Sequence, residues 1–144
     1  PEGIRVDVAD DASGAAARIR PDALERIVRN LLDNAARFAA SSVAVRVTST
    51  ADQVELRVTD DGPGFPDAFL PRAFERFSVA SDARTRREGG GTGLGLAIVR
   101  ALTEEADGRA TASNAEPHGG QVAVTLPRAL IEPSPAARDN SEHE

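Results

Sequence analysis

Apolar residues recur at steps of three and four along Pro21–Ala39: Leu24, Ile27, Val28, Leu31, Leu32, Ala35 and Phe38. That spacing gives a helix one wide apolar face. Pro21 suits the first helical position, and Asp22 and Glu25 put negative charge in the first turn. Elsewhere the period drops to two. Ile4–Val8 alternates, Val43, Val45 and Val47 alternate with Ala44, Arg46 and Thr48, and Val54, Leu56 and Val58 alternate with Glu55, Arg57 and Thr59. The polar link TSTADQ predicts a hairpin between the last two runs. The Gly and Pro density of DDGPGFP, Asp60–Pro66, predicts a loop, and AFLPRAFERF reads as short helical pieces. A second amphipathic helix is expected from about Leu94 to Asp107, with Gly108 as its stop. Strands near Ala110–Ser113 and Gln121–Leu126 close the pattern. The expected fold is a two-layer α/β (α+β) sandwich. A mixed, mostly antiparallel sheet of about five strands is covered on one face by about three helices.

Composition narrows the function classes. The chain has 144 residues, enough for one domain around one core. A net charge of −6 argues against a nucleic-acid partner held by general phosphate attraction. With no cysteine there is no disulfide framework, thiol chemistry or Cys-based zinc site. No apolar run approaches ~18 residues, and no signal peptide is visible. The chain opens at Pro1 without methionine and is read as a fragment of something longer. Residues 129–144 are polar and Pro-bearing, and are expected to be a disordered tail after a domain over 1–128.

Three features carry chemistry. In GGGTGLGLAIV, Gly89–Val99, five glycines in seven residues precede a helix-forming run. Unpaired N–H groups at a helix start attract anions, and glycines there admit phosphate oxygens; a flexible hinge is the other reading. Asn30, Asn34 and Arg37 form a stripe on the first helix that borders its apolar face. Asn disfavours helix interiors. The stripe is therefore either a solvated edge or a pocket wall, where a side-chain carbonyl ligates Mg²⁺ beside phosphates and Arg37 meets an anion. Asp60 shares the parity of Val54, Leu56 and Val58 and points inward, whereas Asp61 points away. An inward carboxylate needs a partner. Closing a turn onto its own backbone is one candidate; accepting from an exocyclic amine such as that of adenine is the other.

Together these segments resemble the ATP-binding catalytic domain of bacterial sensor histidine kinases, within the GHKL superfamily. NLLDNAARFA resembles that family's asparagine box, DDGPGF its first glycine box, FERF its phenylalanine box and GGGTGLGLAIV its second glycine box, in order, over Asn30–Val99. The resemblance implies that ATP and Mg²⁺ are the ligands. Asn34 would hold Mg²⁺, with Asn30 and Arg37 beside it in the nucleotide site. Asp60 would accept from the adenine amino group, with Gly62 and Gly64 shaping the pocket. Gly91, Thr92, Gly93, Leu94 and Gly95 would border the phosphates. Ser78–Thr92 would be a flexible lid in which Arg84 and Arg86 approach the γ-phosphate, with Phe74 and Phe77 anchoring its base. Many members carry a Tyr-Arg or similar pair after the phenylalanine box, where this chain has Ser78 and Val79.

These 144 residues are expected to lack the family's dimerisation helix with its phosphoacceptor histidine, since His118 and His143 lack that context. The chain itself is therefore expected to supply no catalytic group beyond the positioning of ATP. The resemblance implies a histidine kinase that phosphorylates a separate histidine-bearing domain and, through it, serves a response regulator. The fragment is expected to be monomeric and cytoplasmic, within a homodimeric parent anchored in the bacterial inner membrane. The alternatives are an ATP-binding module without transfer, an anti-sigma serine kinase, and a GHKL ATPase. The last carries Glu where this chain has Asn30, which is no general base.

Overall fold

The structure, a computed structural model, describes residues 3–76 and 95–129. Five strands form one sheet among them, in the order β1-β2-β3-β5-β4. They are β1 (Arg5–Asp11), β2 (Ser42–Ser49), β3 (Gln53–Asp60), β4 (Arg109–Asn114) and β5 (Gly120–Pro127). β1 pairs with β2 in parallel, and every other pairing is antiparallel, so the sheet is mixed as expected. Two α-helices, α1 (Pro21–Phe38) and α2 (Gly95–Glu105), accompany a 3-10 turn at Leu70–Arg72. The expectation of about three helices is thus corrected to two among the described residues. In AFLPRAFERF the described residues form a single short 3-10 turn, with Pro71 tolerated in its first turn.

Alternation sorts the sheet's faces. Val43, Val58, Val122, Val124 and Leu126 point to the helical layer and are buried with Ile27 and Leu31 of α1 and Leu96 and Val99 of α2. The opposite face is polar, with Arg46 paired to Asp11 at 3.2 Å and Arg57 to Glu55 at 3.1 Å. β1 runs to Asp11, three residues past the expected Val8, because its register with β2 continues to Asp11↔Thr48.

The end of α2 departs from expectation in an instructive way. Asp107, not Gly108, takes the left-handed conformation, with φ 67°. The N–H of Gly108 then donates to the Thr103 carbonyl at 2.8 Å, the return bond of a helix C-cap. Gly108 is needed for a different reason: a Cβ there would run into the Thr125 carbonyl of β5.

Arg20, before α1, lies 3.9 Å from Glu105 at the end of α2. The two packed helices therefore run antiparallel. Gly95, at the other end of α2, is directed toward the half of α1 that carries Asn30 and Asn34.

Candidate functional site

The site forms where β3 ends. Strand parity turns Asp60 inward, and it is 4% exposed. Its Oδ1 accepts from the N–H of Gly62 at 2.8 Å and of Gly120 at 3.2 Å. Asp60 thus closes a turn onto its own loop, as one reading has it, while facing the interior. Oδ2 takes part in none of the hydrogen bonds among the described residues, and no ion pair there engages the carboxylate. Burial raises its pKa above the ordinary 3.8, partly opposed by the two N–H donors, and the neighbouring Asp61 adds to the rise. A carboxylate held this way is a fixed acceptor with no counterion among the described residues.

Asp61 does a different job. Its Oδ1 accepts from the N–H groups of Ala40, Ser41 and Ser42 at 2.8, 2.9 and 3.1 Å, and its Oδ2 from the Ser41 and Ser42 hydroxyls at 2.7 and 3.2 Å. These donors hold its pKa well below the usual carboxylate range. Asp61 thus fastens the α1–β2 connection, and the parity argument separated the two carboxylates correctly.

The loop after Asp60 fits closely against its surroundings. A Cβ at Gly62 would collide with the Phe38 carbonyl at the end of α1. That contact brings the asparagine-bearing helix to the glycine loop. Gly64 has φ +91°, and a Cβ on it would lie 2.9 Å from Asn114 Oδ1. Phe65 is buried, edge-on to Phe38 at 6.3 Å and tilted against Phe69 at 5.5 Å.

On α1, Ala23, Ile27, Leu31 and Ala35 are buried, while Asn30, Asn34 and Arg37 form a half-buried flank. Asn30 Nδ2 is buried with no hydrogen-bond partner among the described residues. A donor left so is costly and calls for an acceptor. About 200° round the helix from Asn30 lie Val28 and Leu32. They line an apolar groove of about 570 Å³ with Pro21 and Leu24, on the flank away from the asparagines.

A Cβ at Gly95 would meet nothing within 4 Å among the described residues, so their packing does not require glycine there. Phe77, Arg84, Arg86, Gly91, Thr92, Gly93 and Leu94 lie outside the described residues, as do the proposed lid, His143 and the tail from residue 130. Phe74 is half-buried against the core.

Sequence reasoning overlooked the β4–β5 turn. Asn114 and His118 both bond to the glycine loop, and Gly119 and Gly120 bring the turn against Asp60. The Gly-Gly pair signals only a turn; which loop it meets depends on the strand order.

Comparison with known proteins agrees with this geometry. Residues 19–130 match the family model described as histidine kinase-, DNA gyrase B-, and HSP90-like ATPase. The chain is 46% identical over 109 residues to a sensor histidine kinase component, HK1, of Mycobacterium tuberculosis, across 76% of this chain and 63% of that protein. It thus spans less than two thirds of that relative's length. Among solved structures it is similar to the mycobacterial sensor histidine kinase MprB, at 30% identity and a TM-score of 0.72, covering 90% of this chain and 85% of that one. It is also similar to full-length ShkA in complex with AMPPNP, at 26% identity and a TM-score of 0.68, covering 89% of this chain and 27% of that one.

Proposed function

Because the chain belongs to the family of histidine kinase-, DNA gyrase B-, and HSP90-like ATPases, we propose that it is the ATP-binding catalytic domain of a sensor histidine kinase. In this reading it passes the γ-phosphoryl of Mg-ATP to a histidine on a separate dimerisation domain. The observation that carries it is Asp60: a buried carboxylate, one oxygen fixed by two backbone N–H groups, the other not engaged among the described residues. An exocyclic amine is the neutral donor that suits such an acceptor, and adenine presents one.

The other residues take roles consistent with that anchor. Gly62 and Gly64 border the base, with Phe65 beneath it. Asn30 and Asn34 lie on the side of the phosphates, where the unpartnered Nδ2 of Asn30 would find an acceptor oxygen. Asn34 would hold Mg²⁺ through its side-chain carbonyl, a hard oxygen donor that suits the ion. The ion supplies charge neutralisation between phosphate oxygens when bound. Arg37, in the last turn of α1, adds a positive charge on the same flank. Phe77, Arg84, Arg86, Gly91, Thr92, Gly93 and Leu94 lie outside the described residues; in this reading they would contribute, with Gly95, to the lid and the phosphate site. Among the described residues nothing lies within 4 Å of a Cβ at Gly95, which is consistent with close approach of the triphosphate.

Transfer needs little covalent chemistry from this chain. The acceptor imidazole nitrogen attacks the γ-phosphorus; an N–P bond forms as the bond to the β–γ bridging oxygen breaks, and ADP leaves with the electron pair. Holding the triphosphate in line supplies most of the rate gain. Asn30 is no general base, so activation of water has no provider at that position. His118 lies in the β4–β5 turn, bonded to Gly62 rather than placed as an acceptor. The partners in this reading are the histidine-bearing domain of a homodimeric parent and, through it, a response regulator. The module faces the cytoplasm beneath a parent anchored in the membrane; no helix among the described residues is long and apolar enough to cross one.

The test uses radiolabelled ATP in three samples: this chain, a histidine-bearing dimerisation domain, and both. Acid-labile label on the acceptor domain in the mixture alone supports the reading. Label on this chain alone, abolished by His118→Ala, overturns it.

A further inference from the structure

Asp61 ties the start of the glycine loop to the α1–β2 connection. Beyond it the loop contains Pro63, which has no N–H, and two glycines with wide backbone freedom. Its other polar anchorage comes from the β4–β5 turn. Asn114, the last residue of β4, uses both ends of its amide on one backbone unit: Oδ1 accepts from Phe65 N–H at 2.7 Å, and Nδ2 donates to Phe65 C=O at 2.9 Å. Four residues on, His118 Nδ1 donates to the Gly62 carbonyl at 3.2 Å. Gly120 N–H then reaches Asp60 Oδ1. One short turn thus grips the loop at Phe65, Gly62 and Asp60.

Asn114 is otherwise exposed. A surface asparagine ordinarily gives its amide to water, and fixing it costs side-chain entropy. The close approach also explains Gly64, since any side chain there would press on Asn114 Oδ1. The chain leaves that position bare where the amide crosses it.

We propose that Asn114, assisted by His118, is the positioning residue that sets discrimination between purine bases at this site. The inference rests on the nucleotide-binding reading above. Phe65, pinned by Asn114, packs beside Gly120: a Cβ on Gly120 would sit 3.1 Å from its ring. Gly120 and Gly62 together aim the Asp60 carboxylate. A fixed carboxylate accepts from the 6-amino group of adenine and repels the 6-carbonyl oxygen of guanine. A carboxylate free to swing away accepts less well from the first and repels the second less.

The experiment measures ADP and GDP affinities, with Mg²⁺, for the wild-type chain, Asn114→Ala and His118→Ala. Loss of the Asn114 hydrogen bonds should weaken ADP about tenfold or more and GDP by less than about threefold, so the ADP:GDP ratio collapses. His118→Ala should lower the ratio by about twofold to threefold. Asn114→Asp keeps the acceptor for Phe65 N–H and loses the donor; it should fall between wild type and Asn114→Ala, and it decides the matter if the alanine variant does not fold. Equal weakening of ADP and GDP, or an unchanged ratio, overturns the proposal. So does rapid amide exchange of Phe65 in the wild-type chain without nucleotide, a measurement that needs no variant. Failure of the wild-type chain to bind ADP at all removes the nucleotide reading itself, and this proposal with it.

Discussion

Asp60→Asn separates binding from folding. The Gly62 and Gly120 N–H groups fix the orientation of the new amide, because only its carbonyl oxygen accepts from them. The Nδ2 group is then forced into the place of Oδ2 and faces the adenine amine donor to donor. The loss has two parts: a charge-assisted bond of ~1.5–3 kcal/mol, and a buried donor left unpaired at ~1–3 kcal/mol. A combined loss of about 3 kcal/mol corresponds to a roughly hundredfold weaker dissociation constant for ADP. Stability moves the other way. Burial raises the native pKa of Asp60, so the ionised form is penalised in the fold. Wild-type stability falls as pH rises from 3.8 through the raised value. The asparagine chain carries no such term, so it should melt no lower than wild type at pH 7, and any advantage should close as pH drops below 3.8. Isothermal titration with Mg-ADP gives the affinity, and melting between pH 3 and pH 8 gives the linkage. A variant that binds ADP as wild type does, or that loses stability at pH 7 in step with affinity, would refute the reasoning.

Other perturbations act on single features. Asp61→Asn should do the reverse of Asp60→Asn: its lowered native pKa stabilises the fold above 3.8 and ceases to do so as pH falls through the native value. The variant should therefore melt below wild type at pH 7, with the gap narrowing in acid. Thr103 is fully buried with its Oγ1 unpartnered among the described residues. Thr103→Val should add ~1 kcal/mol, seen as a melting point about 3–5 °C higher. Gly119 has φ +111°, and a Cβ there would strike the Asp60 carbonyl. Gly119→Ala should cost about 2 kcal/mol or more by chemical denaturation, and should weaken ADP as well.

Much of this fold was legible because its signals are local. The period of α1, the alternation of β2 and β3, and the parity of Asp60 each need only a few neighbouring residues. The resemblance over Asn30–Val99 then implied that Asn34, Asp60 and the glycines belong to one site. What escaped notice depends on contacts between distant segments. Gly108 reads as a helix stop from sequence, but the left-handed turn falls on Asp107 and the glycine is set by the Thr125 carbonyl across the sheet. Asn114 meets Phe65, 49 residues away, because β5 lies between β3 and β4 in the sheet and carries the turn back to the end of β3. Helical spacing alone overstates the helix content of AFLPRAFERF, where only a short 3-10 turn forms among the described residues.

The central claim is that an adenine nucleotide sits between Asp60 and the asparagine flank of α1. Titrating the ¹⁵N-labelled chain with Mg-ADP tests it most directly, by following backbone amides and asparagine side-chain amides residue by residue. The account predicts saturable shifts at the Gly62 and Gly120 amides and at the Asn30 and Asn34 side chains. The dissociation constant should be micromolar to millimolar, roughly −4 to −8 kcal/mol. Shifts confined to the Leu24–Leu32 groove on the other flank of α1, or none at millimolar ADP, would contradict it.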